Sequence, residues 1–392
     1  MRVMQVHNTY VHRGGEDAVV EAEAALLRSY GHEVRELRAS NALGVSAGYL
    51  SLVRTLLSSA WNRDVYQRAR AVIRDFRPDI VHAHNFWFML SPSIFGAAHD
   101  EGVPTLLTLH NYRLVCPGAL LMRGGRICEL CLGGSPWHAV PRACYRDSMV
   151  QTALLAHMVA GNLHGRTWDE LVDGYIVLTD FCRRIFVRGG LPEAKLYVKP
   201  NFLHDAPAPA TAVGRGAVVV SRLSREKGLH TLLRAWSEVP AASLTIMGDG
   251  PERGVLERMS VGLPQVRFLG HVSRADVIAG VKAAACLVLP SEWYECMPIA
   301  VLESYACGRP VVASRLGSLV ELVREGKTGL LFQHRDAGDL AASMRRLLGD
   351  LEACQGMGLR ARAEFEQKYT LEINYDRLMS IYQRVIGLAG RK

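Results

Sequence analysis

The chain has 392 residues, 49% of them hydrophobic and 21% charged, ordinary values for globular protein at a length that asks for two domains or more. There is no low-complexity segment or short-period repeat. The net charge of +8 is mild, nothing in its distribution points to a nucleic-acid partner, and no run approaches the roughly 20 apolar residues that span a bilayer.

In chain order, MRVMQVHNTY begins with a strand, Arg2–Val6, and lacks the long apolar core of a signal peptide. The location it implies is cytoplasmic. A turn at Gly14-Gly15 leads into a helix from about Glu16 to Tyr30, with Gly31 as its stop. Val34–Leu37 is a second strand. Between residues 49 and 77, Arg54, Arg63, Arg68, Arg70, Arg74 and Arg77 face only Asp64 and Asp75. Leu52, Leu56, Trp61, Val65, Val72 and Phe76 recur there at roughly helical spacing. Such a helix fits an anionic membrane surface, which would make the protein peripheral on the inner face of the cell membrane. It fits equally a solvated helix with an arginine-rich outer face.

Ile80–His82, Thr105–Leu109 and Tyr175–Leu178 read as buried strands. Between the last two lies a loop-rich insertion, residues 112–147. Cys116, Cys128, Cys131 and Cys144 fall within it, a C-x2-C pair with one cysteine on each side. A reducing compartment disfavours disulfides. Four thiolates would close a tetrahedral structural zinc site, with His138 an alternative ligand. The spacing is not that of a standard zinc ribbon, and ordinary thiols are the competing reading. The apolar run Met149–Gly161 is too short to span a membrane and contains His157.

Near residue 200 the texture changes. Asp205-Ala-Pro-Ala-Pro-Ala reads as a linker, after which strand and helix alternate again. Ala217–Val220, Leu244–Met247, Val266–Leu269, Cys286–Leu289 and Val311–Ala313 are strand-like, and the tail from about Leu340 to Leu388 is helical. The expected layout is an N-terminal domain over 1–203, a C-terminal domain over 204–370, and a last helix, 371–392, that crosses back to the N-terminal domain. Both domains read as α/β, doubly wound and Rossmann-like. Two such domains face a central cleft, where ligands sit beyond the strand C-termini.

The stretch PSEWYECMPIAVLESYACGRPVVAS, residues 290–314, carries the most chemistry. A strand ends at Leu289, a loop carries Glu295, Pro298 opens a helix, and Glu303 lies inside it. The helix start at Cys296, Met297, Pro298 and Ile299 offers free N–H groups and a positive dipole, which suit a diphosphate. In SRLSREKG, 221–228, Arg222 and Lys227 are close enough to converge on one anion. MGDGPERGVLE, 247–257, puts Gly248 and Gly250 after a strand, where backbone approaches a ligand closely. TLHNYRLVCPG, 108–118, puts His110 at a strand end, and HNTYVHRGGEDAVV carries Gly14 and Gly15.

These five segments, in this order and over nearly the whole chain, resemble family 4 glycosyltransferases, retaining enzymes of the GT-B fold. Glu295 and Glu303 fall on the family's E-x7-E signature. The resemblance implies that Glu303 binds the ribose hydroxyls and that Glu295 and His110 lie by the donor sugar. It implies that Arg222 and Lys227 neutralise the departing nucleoside diphosphate, that Gly248 and Gly250 line the base, and that Gly14 and Gly15 face the donor phosphates or the acceptor. Where the family has Glu-Gly-Phe-Gly, this chain has Glu295-Cys296-Met297-Pro298.

The implied reaction is hexosyl transfer from a nucleoside-diphosphate sugar to a saccharide or lipid-linked acceptor hydroxyl, in surface polysaccharide or glycolipid synthesis. The anomeric configuration is retained, with no catalytic cofactor and no metal in the chemistry. A nucleotide-sugar epimerase of similar fold and a non-catalytic nucleotide-sugar-binding protein are the alternatives. A dinucleotide-dependent dehydrogenase is disfavoured, because no G-x-G-x-x-G follows the first strand.

Overall fold

The computed structural model describes residues 1–9, 14–40, 60–87, 89–212, 214–239 and 241–390. They form two compact units. One contains residues 1–123, 128–204 and 374–392, the other residues 124–127 and 205–373. Residues 49–59 of the basic segment, Arg54 among them, lie outside the described residues.

The first unit is built on six parallel strands: β1 Arg2–Thr9, β2 Glu33–Ser40, β3 Ile80–Asn85, β4 Thr105–Thr108, β5 Gly174–Val177 and β6 Leu196–Val198. Their order in the sheet is β2-β1-β3-β4-β5-β6. Helix α1, Gly15–Ser29, follows β1, α2, Arg63–Phe76, precedes β3, and α3, Met149–His164, precedes β5. Parallel strands covered on both faces read as apolar runs, and most do here. The exceptions are the edge strand β2, EVRELRAS, which is mostly exposed or half-buried, and β1 and β3, which bury polar residues. Gln5, His7, His82 and His84 are as buried as the valines beside them. The expected strand Ile80–His82 therefore continues to Asn85.

On one sheet face, Val3, Ile80, Leu106 and Ile176 form an apolar layer with Leu27 and with Leu378, Ile381, Tyr382 and Val385 of the C-terminal helix, Leu371–Ala389. Each such side chain is worth roughly 1.5–3 kcal/mol when fully buried, and this apolar stripe fastens the helix to the unit's first strand.

The second unit repeats the plan with β7 Ala217–Val220, β8 Leu244–Met247, β9 Val266–Gly270, β10 Cys286–Leu289, β11 Val311–Ser314 and β12 Gly329–Phe332, in the order β9-β8-β7-β10-β11-β12. Helix α4, Leu229–Trp236, packs Leu229, Leu232, Leu233 and Trp236 into a core shared with Val219, Ile246 and Val288. Helix α5, Ile299–Ala306, is buried almost all round. Pro298 caps this helix rather than opening it, with φ −67° and ψ 128°. The tail is three helices, with breaks near Asp350 and Thr370. Asp350 ends one and caps the next by accepting from the Ala353 N–H at 2.9 Å. No helix among the described residues is long and apolar enough to cross a membrane.

Candidate functional site

In the second unit, three loops leave the C-terminal ends of neighbouring strands and meet. The loop after β7 carries Ser221 to Gly228, that after β8 carries Gly248 to Pro251, and that after β10 carries Pro290 to Pro298. Gly228 sits at φ +71°, and a Cβ there would lie 1.8 Å from the Pro290 carbonyl oxygen. The first and third loops touch only because this residue has no side chain. Gly248 and Gly250 act similarly. Added Cβ atoms would meet the carbonyls of Ser221 at 1.9 Å and Leu223 at 2.4 Å. The absence of a side chain at these glycines lets the two loops pack backbone to backbone.

That packing sets the charged residues. Lys227 Nζ donates to Glu295 Oε1 at 2.8 Å, and the Ser291 hydroxyl donates to the same oxygen at 2.7 Å. Lys227 also lies over the Trp293 ring, 5.1 Å from its centroid. Glu295 is buried, so its charge is fixed in place by two donors and an aromatic wall. Arg222 is exposed, with no ion-pair partner among the described residues. Cys296 and Met297 are buried beneath the turn. The Val301 N–H returns to the Pro298 carbonyl at 3.1 Å, so the amides at the start of α5 without a described partner are those of Ile299 and Ala300.

Glu303 lies one turn into α5 and is buried. Burial pushes its carboxyl up to about 7, only partly offset by Arg274, whose Nε stands 4.0 Å away. Held near neutrality, it switches between proton donor and pure acceptor around physiological pH.

The first unit holds a second polar assembly. Glu23 on α1 is fully enclosed. Its Oε1 lies 3.0 Å from both His82 Nδ1 and His84 Nε2, and its Oε2 lies 3.1 Å from Lys199 Nζ. Burial raises the Glu23 carboxyl, but Lys199, His82 and His84 outweigh it and hold the group well below the usual carboxylate range. His84 is held down to about 4, first by burial and then by His82. A neutral His84 facing a carboxylate must carry its proton on Nε2. Its Nδ1 then accepts from His110 Nε2 at 3.2 Å. His110 itself is held well below its ordinary range by burial and by His84. It is therefore neutral, with its Nδ1 lone pair left as an acceptor.

Glu23, His82 and His84 are the one trio of ligand-type atoms lying within 4.8 Å of one another among the described residues. They do not suit a cation, because the Lys199 ammonium already occupies Glu23, and His82 also bonds Tyr382 and Thr108 at 2.8 Å each.

Sequence reasoning passed over this network. One available signal was Glu23 on the apolar stripe Val19, Val20, Leu26, Leu27. The other was His-x-His along a buried strand. Gly14 differs from expectation. Its N–H donates to Asp17 Oδ2 at 2.9 Å, and Asp17 Oδ1 contacts His7 Nε2 at 2.8 Å. That amide serves the helix cap, not a phosphate; Gly15 is the exposed first residue of α1.

All nine cysteines are free thiols, and the fold gathers Cys116, Cys128, Cys131 and Cys144. Cys131 is pushed up to about 12, first by burial and then by the other three. His138 is exposed.

On the basic segment, Arg70 and Arg74 both pair with Glu101, at 2.6 and 3.0 Å. Arg35 pairs with Asp75. Part of the basic excess is thus neutralised within the unit, while Arg63, Arg68 and Arg77 remain exposed.

Comparison with known proteins places these observations. Residues 13–206 match the family model for Glycosyltransferase Family 4, and residues 214–350 that for Glycosyl transferases group 1. Glycogen synthase of Mycobacterium tuberculosis is 29% identical over 329 residues, covering 81% of this chain and 70% of that protein. Sulfoquinovosyl transferase SQD2 of Arabidopsis thaliana is 30% identical over 75% of this chain, a match spanning 54% of its own length. Among solved structures, sucrose-phosphate synthase of Thermosynechococcus elongatus superposes with a TM-score of 0.72 at 18% identity, over 99% of both chains. Anabaena HepE in complex with UDP and glucose gives 0.65 at 19%, over 97% of this chain and 98% of that one.

Proposed function

Because this chain belongs to glycosyltransferase family 4 and has the GT-B fold, we propose that it is a retaining transferase using a nucleoside-diphosphate sugar. The sugar passes to an acceptor hydroxyl on a saccharide or lipid-linked saccharide. The observation that carries the reading is the Lys227–Glu295 contact at 2.8 Å. It couples a cation suited to a leaving diphosphate with a carboxylate suited to the sugar, beside the exposed Arg222.

Arg222, Lys227 and the amides at the start of α5 supply positive charge where the leaving group develops its own. Glu303 accepts from the ribose hydroxyls. His110, neutral with Nδ1 as acceptor, takes a hydrogen bond from a sugar hydroxyl. A phosphate oxygen of the leaving group takes the acceptor's proton on the same face, so retention needs no enzymic nucleophile. This charge distribution leaves catalysis independent of a metal.

A thermal-shift panel with UDP-, GDP-, dTDP- and ADP-sugars selects the donor, and transfer with anomeric analysis of the product tests retention. The pH dependence of donor binding tests Glu303. Ionised, it accepts both ribose protons; protonated, it must donate one itself. Donor affinity should rise as pH passes upward through about 7. Glu303→Gln should flatten that profile, and Glu303→Ala should lose the charge-assisted bonds, roughly 1.5–3 kcal/mol. A pH-independent affinity in the wild type, or unchanged affinity in the alanine variant, removes Glu303 from the ribose.

The exposed Arg63 and Arg68, with Arg54, are proposed to favour an anionic membrane face at about 1 kcal/mol each. Flotation with anionic vesicles should exceed that with neutral ones and fall in the Arg63→Ala/Arg68→Ala variant. Equal flotation with both lipids would reject a peripheral location of this kind.

A further inference from the structure

We propose that Cys116, Cys128, Cys131 and Cys144 hold a structural zinc ion that ties the loop after β4 to the segment entering α3. The four come from a stretch with almost no regular structure. Between residues 112 and 148 the only repeating elements are two strands of two residues each and one 3-10 helix, Pro136–Arg142. Such a segment cannot fix itself through hydrogen-bond ladders and commonly needs a cross-link.

Its backbone is also held in costly conformations. Of the eight non-glycine residues at positive φ among the described residues, five lie here: Ala119, Leu121, Ala143, Arg146 and Asp147. Each such residue costs on the order of 1 kcal/mol or more and persists only where its surroundings impose it.

Those turns fold the cysteine segments onto one another. The Ala119 N–H donates to the Cys116 carbonyl at 2.8 Å, closing the turn after Cys116, and the Cys144 N–H donates to the Ala139 carbonyl at 3.4 Å. The Cys131 sulfur lies 3.9 Å from the Pro136 carbonyl oxygen. The turn after Cys116 also packs on Cys144: a Cβ at Gly118 would lie 3.1 Å from the Cys144 carbonyl oxygen and 3.7 Å from its Cβ. The Cys128 N–H donates to the Leu121 carbonyl at 2.8 Å. Cys131 is near enough to feel all three other sulfurs.

The sulfurs do not reach the 4.8 Å mutual spacing of the Glu23 trio. Zinc bonded to each sulfur at about 2.3 Å would draw them to about 3.8 Å from one another.

Binding is an exchange of protons for metal. Four thiols release four protons to solvent, and Zn²⁺ with four thiolates carries a net charge of −2; nothing is oxidised or reduced. Arg113 lies near Cys116, and Arg123 and Arg142 lie near Cys144, so cations surround the charge that would form. Four sulfurs fill a tetrahedron, leaving no open position for substrate, so the ion's role is to hold structure. Cys116 is six residues beyond His110, and the tie would steady the loop that carries that histidine.

The test uses the full chain, purified under reducing conditions without chelator. Elemental analysis should find about one zinc per chain, and Cys128→Ser/Cys131→Ser should lose it while Cys182→Ala, outside the cluster, keeps it. Cobalt substituted into the wild type should show thiolate-to-metal charge transfer and the visible bands of tetrahedral Co(II), a readout that stands if the double variant does not fold. Hydrogen exchange across residues 116–144 should quicken when the metal is stripped. Metal-free active protein whose four thiols all react freely would overturn the proposal. So would a non-reduced mass lower by the hydrogens of one or two disulfides.

Discussion

Replacing Lys227 or Arg222 by alanine should cut turnover about 10²-fold or more, the scale expected when a charge aimed at a transition-state anion is removed. The two variants should differ in stability. Arg222 is exposed, so its loss should leave the melting temperature almost unchanged. Lys227 holds the buried Glu295 at 2.8 Å, so its loss strands a carboxylate. Glu295→Gln should restore much of the stability of Lys227→Ala but none of its activity, because the missing cation is still missing. Steady-state kinetics and denaturant titration on the wild type and these three variants separate the roles. If both single alanine variants kept near-normal turnover, the diphosphate would not bind here.

The second unit was the more legible of the two. Ala217–Val220, Leu244–Met247 and Cys286–Leu289 were bounded from sequence as they are found, because each is a short apolar run closed by Gly, Pro or Ser. Gly329–Phe332 is not bounded from sequence, because its four residues lie between two turns with little context. In the first unit, Leu196–Val198 was missed for the same reason. Polar residues hid the end of β3: His-x-His in a buried strand points to a buried polar network, but its partners on α1 and the C-terminal helix are set only by the fold. Those partners are Glu23 and Tyr382, which lie 59 residues before and 300 after His82.

Within the candidate site, the residue types were readable and some of their reasons were not. Gly248 and Gly250 are legible as a close approach, and the fold shows that the backbone of Ser221 and Leu223 packs where their side chains would be. Gly14 was recognised as a turn, but Asp17 takes its amide. In each case a glycine showed that something comes near without saying what. Similarly, the two glutamates of the signature were visible as a spacing. Their separate environments, one paired with Lys227 and the other raised to about 7, needed the fold.

Glu23→Ala is expected to be the most destabilising single change in the first unit. It leaves Lys199, His82 and His84 enclosed with no counter-charge, and breaking a buried pair from one side costs about 3–5 kcal/mol. For a unit of this size that is a fall in melting temperature on the order of 10 °C. Glu23→Gln keeps the volume but not the charge and should recover only part of the loss. Removing both charges in Glu23→Leu/Lys199→Met should recover more, since no ion is then left unpaired. The wild type's response to acid follows from the same network. His84 is held to about 4 against an ordinary 6.5, so the unfolded chain binds a proton there that the folded chain refuses. Stability from this group is complete above about pH 6.5 and declines as pH falls toward 4. Glu23, depressed in the folded state, adds its own loss only in stronger acid, below the ordinary carboxylate range. Its removal should also release the tautomer chain through His84 to His110, lowering kcat beyond what stability explains at temperatures where the variant is folded. Urea titrations from pH 4 to 8 on the four proteins test the first part, and kcat for Glu23→Gln well below its melting point tests the second. A Glu23→Ala chain as stable as the wild type across that range would mean that the buried charges are not held by Glu23.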